Sequence, residues 1–223
     1  SRHQQLIRLD FEEGFHDVDQ TPLIEQFTSQ INAAGVVVLS DYAKGTLSQV
    51  SQLIAVAKQA GVPVLVDPKG DDFSIYRGAT LVKPNMSEFE AIVGPCQDNH
   101  EIETKGMALL RENDWQALLV TRGEQGLTLL QQGEHPMHLP TLAREVYDVT
   151  GAGDSVIAVL AAALAAGQAM TKAVMLANIA AGIVVGKLGT AAISAAELRG
   201  ALQVEPAHEL GLIREEHLQL EVR

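Results

Sequence analysis

Val146 to Val156 reads VYDVTGAGDSV. Two glycines, an alanine and a carboxylate stand between a β-rich stretch and the apolar run Val156 to Ala166, which reads as a helix. A loop of Gly151, Ala152 and Gly153 lets backbone N–H groups approach a ligand closely. A helix beginning at Asp154 aims its unpaired amides and the positive end of its dipole at the same point. That arrangement is an anion hole. A carboxylate in the first turn would stand beside the bound anion, placed to accept a proton from a hydroxyl attacking a phosphoryl group. A tight turn with Asp154 as a helix cap is the plainer reading, and the motif alone leaves both open.

Upstream of this stretch, strands and helices alternate. VVVLS, ending at Ser40, is a continuous apolar run of the kind found in strands buried on both faces, and the helical spacing of TLSQVSQLIAVAKQA follows it. Thr46 with Gln49 fits a capping box, and Gly61 supplies a helix stop. Strands are expected at VPVLVD, TLVKP and QALLVT, with helices over Ser87 to Val93 and from about Ile102 to Glu112. Two β-rich pieces, GLTLLQQ and HPMHLP, precede the motif. Helices are expected from Asp154 to Ala166, from Thr171 to about Lys187, and after Ser194, which with Glu197 makes a second capping box. The alternation predicts a three-layer α/β/α sandwich on a mostly parallel sheet. Ligands of open sheets of this kind bind beyond the carboxyl ends of the strands.

The chain has 223 residues, 47% of them apolar, enough for one substantial core. A formal charge of −12 argues against a broad grip on nucleic acid or anionic membrane. The single cysteine, Cys96, fits a reducing compartment, and no apolar run approaches the ~20 residues of a membrane helix. A cytoplasmic address is expected. The chain opens on Ser1 and QQLIRLDFEE, which reads as a strand already under way, so a fragment of a longer protein is expected.

The remaining motifs fall at strand ends. KPNMSEFEAIVG fits a helix start with Asn85 as cap and Glu88 reaching back. It fits equally the metal–phosphate side of a nucleotide site, with Glu88 acting through metal-bound water. VTRGEQG sets Gly123 and Gly126 between two strands, as hairpin glycines often are. SDYAKG and VDPKG each end a strand with an aspartate, Asp41 and Asp67, followed by Lys44 and Lys69. His135 and His138 read as surface histidines, with no third metal ligand nearby. The dinucleotide fingerprint fails at Val156, where a third glycine is needed, and AGIVVGKL misses the Walker pattern at Ala181 and Leu188.

In this order, DVTGAGD, NMSE and TRGEQG resemble the signatures of the ribokinase family of sugar and nucleoside kinases. Within it the likeness is to the heptose 7-phosphate kinases, carried by SDYAKG, DPKG, RGATLVKPNMSEFEAIVG, VYDVTGAGD and VVGKLGT. The resemblance implies Asp154 as catalytic base and Gly151, Ala152 and Gly153 as anion hole. It implies ATP binding by Asn85, Met86, Ser87 and Glu88, with magnesium met by Glu88 through water. Thr121, Gly123 and Gly126 would lie along the nucleotide, and Asn178 near the adenine. The implied reaction is ATP-dependent phosphorylation of the anomeric hydroxyl of D-glycero-β-D-manno-heptose 7-phosphate to the 1,7-bisphosphate, in ADP-heptose and lipopolysaccharide core biosynthesis. The implied partners are ATP and a sugar phosphate, with a homodimeric full-length protein.

Two departures accompany the likeness. Ala158-Val159 stands where much of the family has Gly-Ala, and the family's N-terminal sugar-binding part has no counterpart here. The expectation is therefore an N-terminally truncated, nucleotide-binding kinase domain over residues 1–205. Residues 206–223 would be a tail leading to a second domain. A kinase of another sugar or sugar phosphate, or a non-catalytic nucleotide-binding module, are the alternatives.

Overall fold

The computed structural model describes residues 14–15, 17–143, 149–189 and 191–208, the last five by backbone alone. The helices are α1 (Thr21–Gln30), α2 (Val50–Gln59), α3 (Met86–Val93), α4 (Asn99–Glu112), α5 (Ala152–Ala165), α6 (Met170–Val185) and α7 (Ala195–His208). Strands β1 (Val37–Ser40), β2 (Val64–Asp67), β3 (Leu81–Val82), β4 (Ala117–Thr121), β5 (Leu127–Gln131) and β6 (Met137–Leu139) form one sheet in chain order. The pairings from β1 to β4 are parallel, and β5 and β6 are added antiparallel.

Side chains leave a strand to opposite faces in turn, and here both faces are apolar. Val64, Val66, Val82, Leu118 and Val120 pack in one buried cluster with residues of α2, α3 and α4. Leu65, Leu81, Ala117, Leu119 and Leu129 point the other way, into α5 and α6. These are the three layers expected from the continuous apolar runs. Trp115, Tyr76 and Phe73 fill the first cluster, and the indole N–H of Trp115 donates to the Tyr76 carbonyl at 2.9 Å.

Local signals set most helix ends. Asn85 and Glu88 form the capping box of α3 in both directions, and Ser194 and Glu197 bond reciprocally ahead of α7. Gly61, at φ +70°, follows the end of α2. Three boundaries differ from the sequence expectation. The Thr46 capping box is absent: α2 starts only at Val50, with no side-chain cap. Ser48 and Val50 instead give their amides to the carbonyls of Gly45 and Leu47 in successive turns, which takes one of the donors a Thr46 cap would serve. Helix α4 begins three residues early because Asp98 accepts the Glu101 amide. Helix α5 begins at Ala152 rather than Asp154, because Gly151 at φ +81° makes the turn itself. Strand expectations on residues 1–13 and 144–148, and the tail beyond His208, lie outside the described residues.

Gly106 lies in α4 where that helix meets the sheet, and a Cβ there would run into Leu130 Cδ1 and lie 3.3 Å from Leu118 Cδ2. Alanine gains up to about 1 kcal/mol in helix propensity. Overpacking a well-filled core typically costs more, about 1–3 kcal/mol. Gly106→Ala is therefore expected to lower stability by about 1–2 kcal/mol, read as a lower urea midpoint at unchanged slope. A stabilised variant would mean that this helix–sheet contact has slack.

Candidate functional site

The carboxyl ends of the four parallel strands are held level by their register. Ser40 pairs with Asp67, the Asp41 amide bonds the Asp67 carbonyl at 2.9 Å, and Asn85, beyond β3, bridges Thr121 at the end of β4. Asp41, Asp67, Lys83, Asn85 and Thr121 are thereby brought to one edge. The N-terminus of α5 faces the same edge from the second layer. Between them lies a cleft of about 700 Å³ that also reaches Asn178 and Val185 of α6.

Lys83 is the residue that sequence reasoning missed. Its side chain is buried, with the residue only 3% exposed, and its Nζ lies 3.0 Å from Asp67 Oδ1. The same nitrogen is 3.5 Å from where a Cβ on Gly153 would be. An ammonium group therefore sits against the amino end of α5, where the dipole is itself positive. Two positive features converge, and Asp67 is the carboxylate that balances them. Burial raises the Asp67 carboxyl above its ordinary range, Lys83 opposes that shift, and the charges of Glu88 and Asp154 add to it. Asp67, Glu88 and Asp154 thus feel one another across the cleft.

Gly151 shapes the turn as N-cap, and Ala152, Gly153 and Asp154 line the cleft. Asp154 is exposed, stands in the third helical position, and makes no cap hydrogen bond, so the reading of Asp154 as a helix cap is corrected. Ser155 donates its amide to Gly151 at 2.9 Å, the start of the helical ladder. Ala152 gives its amide to the Val149 carbonyl at 3.2 Å, and the amides of Gly153 and Asp154 come before the first ladder bond, at the helix end that presents donors to a ligand.

Met86, Ser87 and Glu88 line the cleft from the first turn of α3. Glu88 serves two partners there. Its Oε2 accepts the Asn85 amide at 3.0 Å, and its Oε1 lies 3.0 Å from Lys69 Nζ. Thr121 ends β4, and Gly123 and Gly126 shape the β4–β5 hairpin at φ +57° and +83°. A Cβ on Gly126 would collide with the Leu139 carbonyl oxygen and lie 2.7 Å from the Pro140 carbonyl carbon, so glycine is required by space as well as by φ. Asn178, which lines the cleft, is 5% exposed and donates Nδ2 to the Pro140 carbonyl at 2.9 Å, tying α6 to the segment after β6. His138 lies elsewhere, bonded to Glu103 at 2.8 Å and Thr128 at 2.9 Å. Among the described residues no group of three His, Cys, Asp or Glu side chains is placed to hold a metal ion, and no helix is long and apolar enough to cross a membrane.

The chain is similar to several known proteins. It is 57% identical over 222 residues to the bifunctional protein HldE of Escherichia fergusonii, a match that covers all of this chain and 46% of that protein. It is also 57% identical over 219 residues to the HldE of Sodalis glossinidius, again over 46% of its length. The chain thus spans about half the length of the curated relatives it matches. Among solved structures, Arabidopsis thaliana ribokinase complexed with ribose and ATP superposes with a TM-score of 0.73 at 26% identity, over 80% of this chain and 59% of that one. Phosphofructokinase-2 of Escherichia coli in complex with potassium has a TM-score of 0.69 at 21% identity, over 82% of this chain and 62% of its own, a likeness of fold. The model of the pfkB family of carbohydrate kinases matches residues 11–197. With that match over most of its length, and with strand ends, glycine hairpin and helix N-terminus converging on one cleft, the chain belongs to the pfkB carbohydrate kinase family.

Proposed function

We propose that this chain is the nucleotide-binding part of a kinase that transfers the γ-phosphoryl group of ATP to the anomeric hydroxyl of D-glycero-β-D-manno-heptose 7-phosphate. The product is the 1,7-bisphosphate, on the route to ADP-heptose and lipopolysaccharide core. The carrying observation is the convergence of buried Lys83, the α5 amino terminus and Asp154 at one point of the carboxyl edge. The choice of sugar is supported by the family-like segments named above and by 57% identity along the whole chain to the HldE proteins. In this reading residues 206–223 are a tail leading to a second domain, and the full-length protein is a homodimer.

The donor set suits a nucleotide with its magnesium. A buried ammonium and the first-turn amides of α5 match phosphate oxygens, whereas the carboxylates of Asp67 and Glu88 match a hard cation. Magnesium usually keeps several waters and is held by one or two carboxylates and the phosphates, so a cage of protein ligands is not needed. Glu88 and Asp67 would hold it through water, and when bound it would neutralise charge on the phosphates. The hairpin of Thr121, Gly123 and Gly126, together with Asn178, would receive the rest of the nucleotide.

Asp154 takes the proton of the acceptor hydroxyl as that oxygen bonds to the γ-phosphorus. The bond from γ-phosphorus to the bridging oxygen breaks, and its electron pair leaves with ADP. The amides around Gly151 to Gly153 and the Lys83 ammonium hold the charge on the transferred group. Phosphoryl transfer of this kind is mainly positioning and charge stabilisation.

Asp154→Asn is expected to cut turnover by about 10²–10⁴-fold, the usual worth of a general base. Because Asp154 is not the cap, stability should change by less than about 1 kcal/mol, the scale of a carboxylate at a helix N-terminus. Turnover by the full-length protein across a panel of sugar phosphates, with melting temperature in parallel, checks both statements. Near-wild-type turnover of the variant rejects the base, and no preference for heptose 7-phosphate over fructose 6-phosphate rejects the sugar.

The Asp67 carboxyl gives a pH dependence of stability. Its folded pKa is raised above the ordinary 3.8, so the folded state binds the proton more tightly. Its contribution is complete below that ordinary value and is lost as pH rises through the raised one. Asp67→Asn cannot titrate and should flatten this part of the curve, although overall stability falls because Lys83 loses its counter-charge. Urea midpoints from about pH 4 to pH 7 test it; parallel curves for both proteins would rule out a raised Asp67.

A further inference from the structure

The side of the cleft next to β1 carries a line of polar contacts that proton transfer does not use. It centres on Tyr76, whose ring is fully buried and packs against Phe73 with centroids 6.0 Å apart. Its hydroxyl emerges beneath the loops that follow β1 and β2. There it donates to Asp41 Oδ2 at 2.7 Å and accepts the backbone N–H of Lys69 at 3.1 Å. The Lys69 carbonyl oxygen also lies 3.1 Å away, but a phenol has one proton, and the shorter contact to a carboxylate takes it. Lys69 Nζ then reaches Glu88 Oε1 at 3.0 Å, and Glu88 Oε2 accepts the Asn85 amide. Five residues from the end of β1 to the cap of α3 are joined without a break.

The weak member of this line is the ion pair. The Lys69 side chain is 52% exposed, and an exposed pair between flexible side chains contributes at most about 1 kcal/mol because holding both ends costs entropy. Fixing the Lys69 backbone removes part of that cost, and the Tyr76 hydroxyl does so. The hydroxyl is itself held: burial foremost, then the nearby Asp41 and Glu88 charges, push its pKa up, so it remains an O–H donor at working pH. Asp41 is fixed from its other oxygen by the amide of Ala43, a non-glycine residue at φ +56°.

We infer that Tyr76 is a positioning residue for the metal–phosphate end of the nucleotide site, holding Lys69 so that Lys69 in turn sets the Glu88 carboxylate. This rests on the kinase reading proposed above. Tyr76 touches no reacting atom, and its influence runs through two other side chains. A merely structural tyrosine would change melting temperature but not the response of the site to magnesium.

The test uses Tyr76→Phe, which keeps the ring, in the full-length protein. Binding of a non-hydrolysable ATP analogue is measured by calorimetry with and without Mg²⁺. The expected result is about fivefold or greater weakening with Mg²⁺, the scale of one net hydrogen bond, and little change without it. In a Lys69→Met background the same change should add nothing further, because the link it breaks is already gone. Equal weakening with and without Mg²⁺, a loss confined to melting temperature, or additive effects in the double variant would overturn the inference. If Tyr76→Phe does not fold, Lys69→Met alone decides: its side chain is solvent-facing, and unchanged Mg²⁺-dependent binding overturns the relay. A wild-type protein that binds no Mg²⁺-analogue complex overturns the kinase reading and this inference together, whereas wild-type binding with unaffected variants overturns this inference alone.

Discussion

A buried ammonium group at the positive end of a helix is the constraint around which this structure is arranged. Lys83 gains nothing from the α5 dipole, and without Asp67 at 3.0 Å its charge would be taken out of water uncompensated. The fold meets this cost through strand register. β3 is only two residues long, and it is fixed by β2 on one side and β4 on the other, so the residue after it has no freedom to leave the edge. A buried ammonium paired to one carboxylate, with Glu88 and Asp154 across the cleft, suits an anion that arrives with its own cation.

The two apolar faces of the sheet give that edge its rigidity in different ways. One layer is filled by large side chains, including Trp115, Phe73 and Tyr76, and it carries the loops of Asp41 and Lys69. The other is built largely from alanine and valine on α5 and α6, which lets those helices pack closely and brings the α5 amino terminus down onto the strand ends. The cleft lies where the two layers meet at the carboxyl edge. Glu88 comes from the first layer, Asp67 and Lys83 from the sheet edge, and Asp154 with the helix dipole from the second layer.

Much of this was legible in the sequence, and what was legible was local. Continuous strands such as VLVD announce burial on both faces, and the capping pairs Asn85/Glu88 and Ser194/Glu197 need only three residues to act. Thr46/Gln49 has the same spacing and fails, because the chain makes successive turns after β1 and α2 begins only at Val50. The shift of α5 by two residues has a similar cause: a left-handed Gly151 turns the chain before Asp154 is reached. Lys83 was not legible at all. In LVKPN it looks like any lysine leaving a strand, and only the parallel pairing of β2 with β3, which sets it beside Asp67, reveals it as buried. Glu88 shows the opposite case, since its capping role was readable while its second partner, Lys69, is nineteen positions away.

Trp115 is the only tryptophan of the chain, and it is fully buried with its indole N–H on the Tyr76 carbonyl. Intrinsic fluorescence from this chain is therefore a one-sided optical probe. It reports solvent entry into the layer of α2, α3 and α4 and into the segment that carries Tyr76. It is blind to the layer of α5 and α6, whose opening would need amide exchange or an introduced label to be seen. An emission-monitored unfolding curve that matched a circular dichroism curve would then say that both layers are lost together.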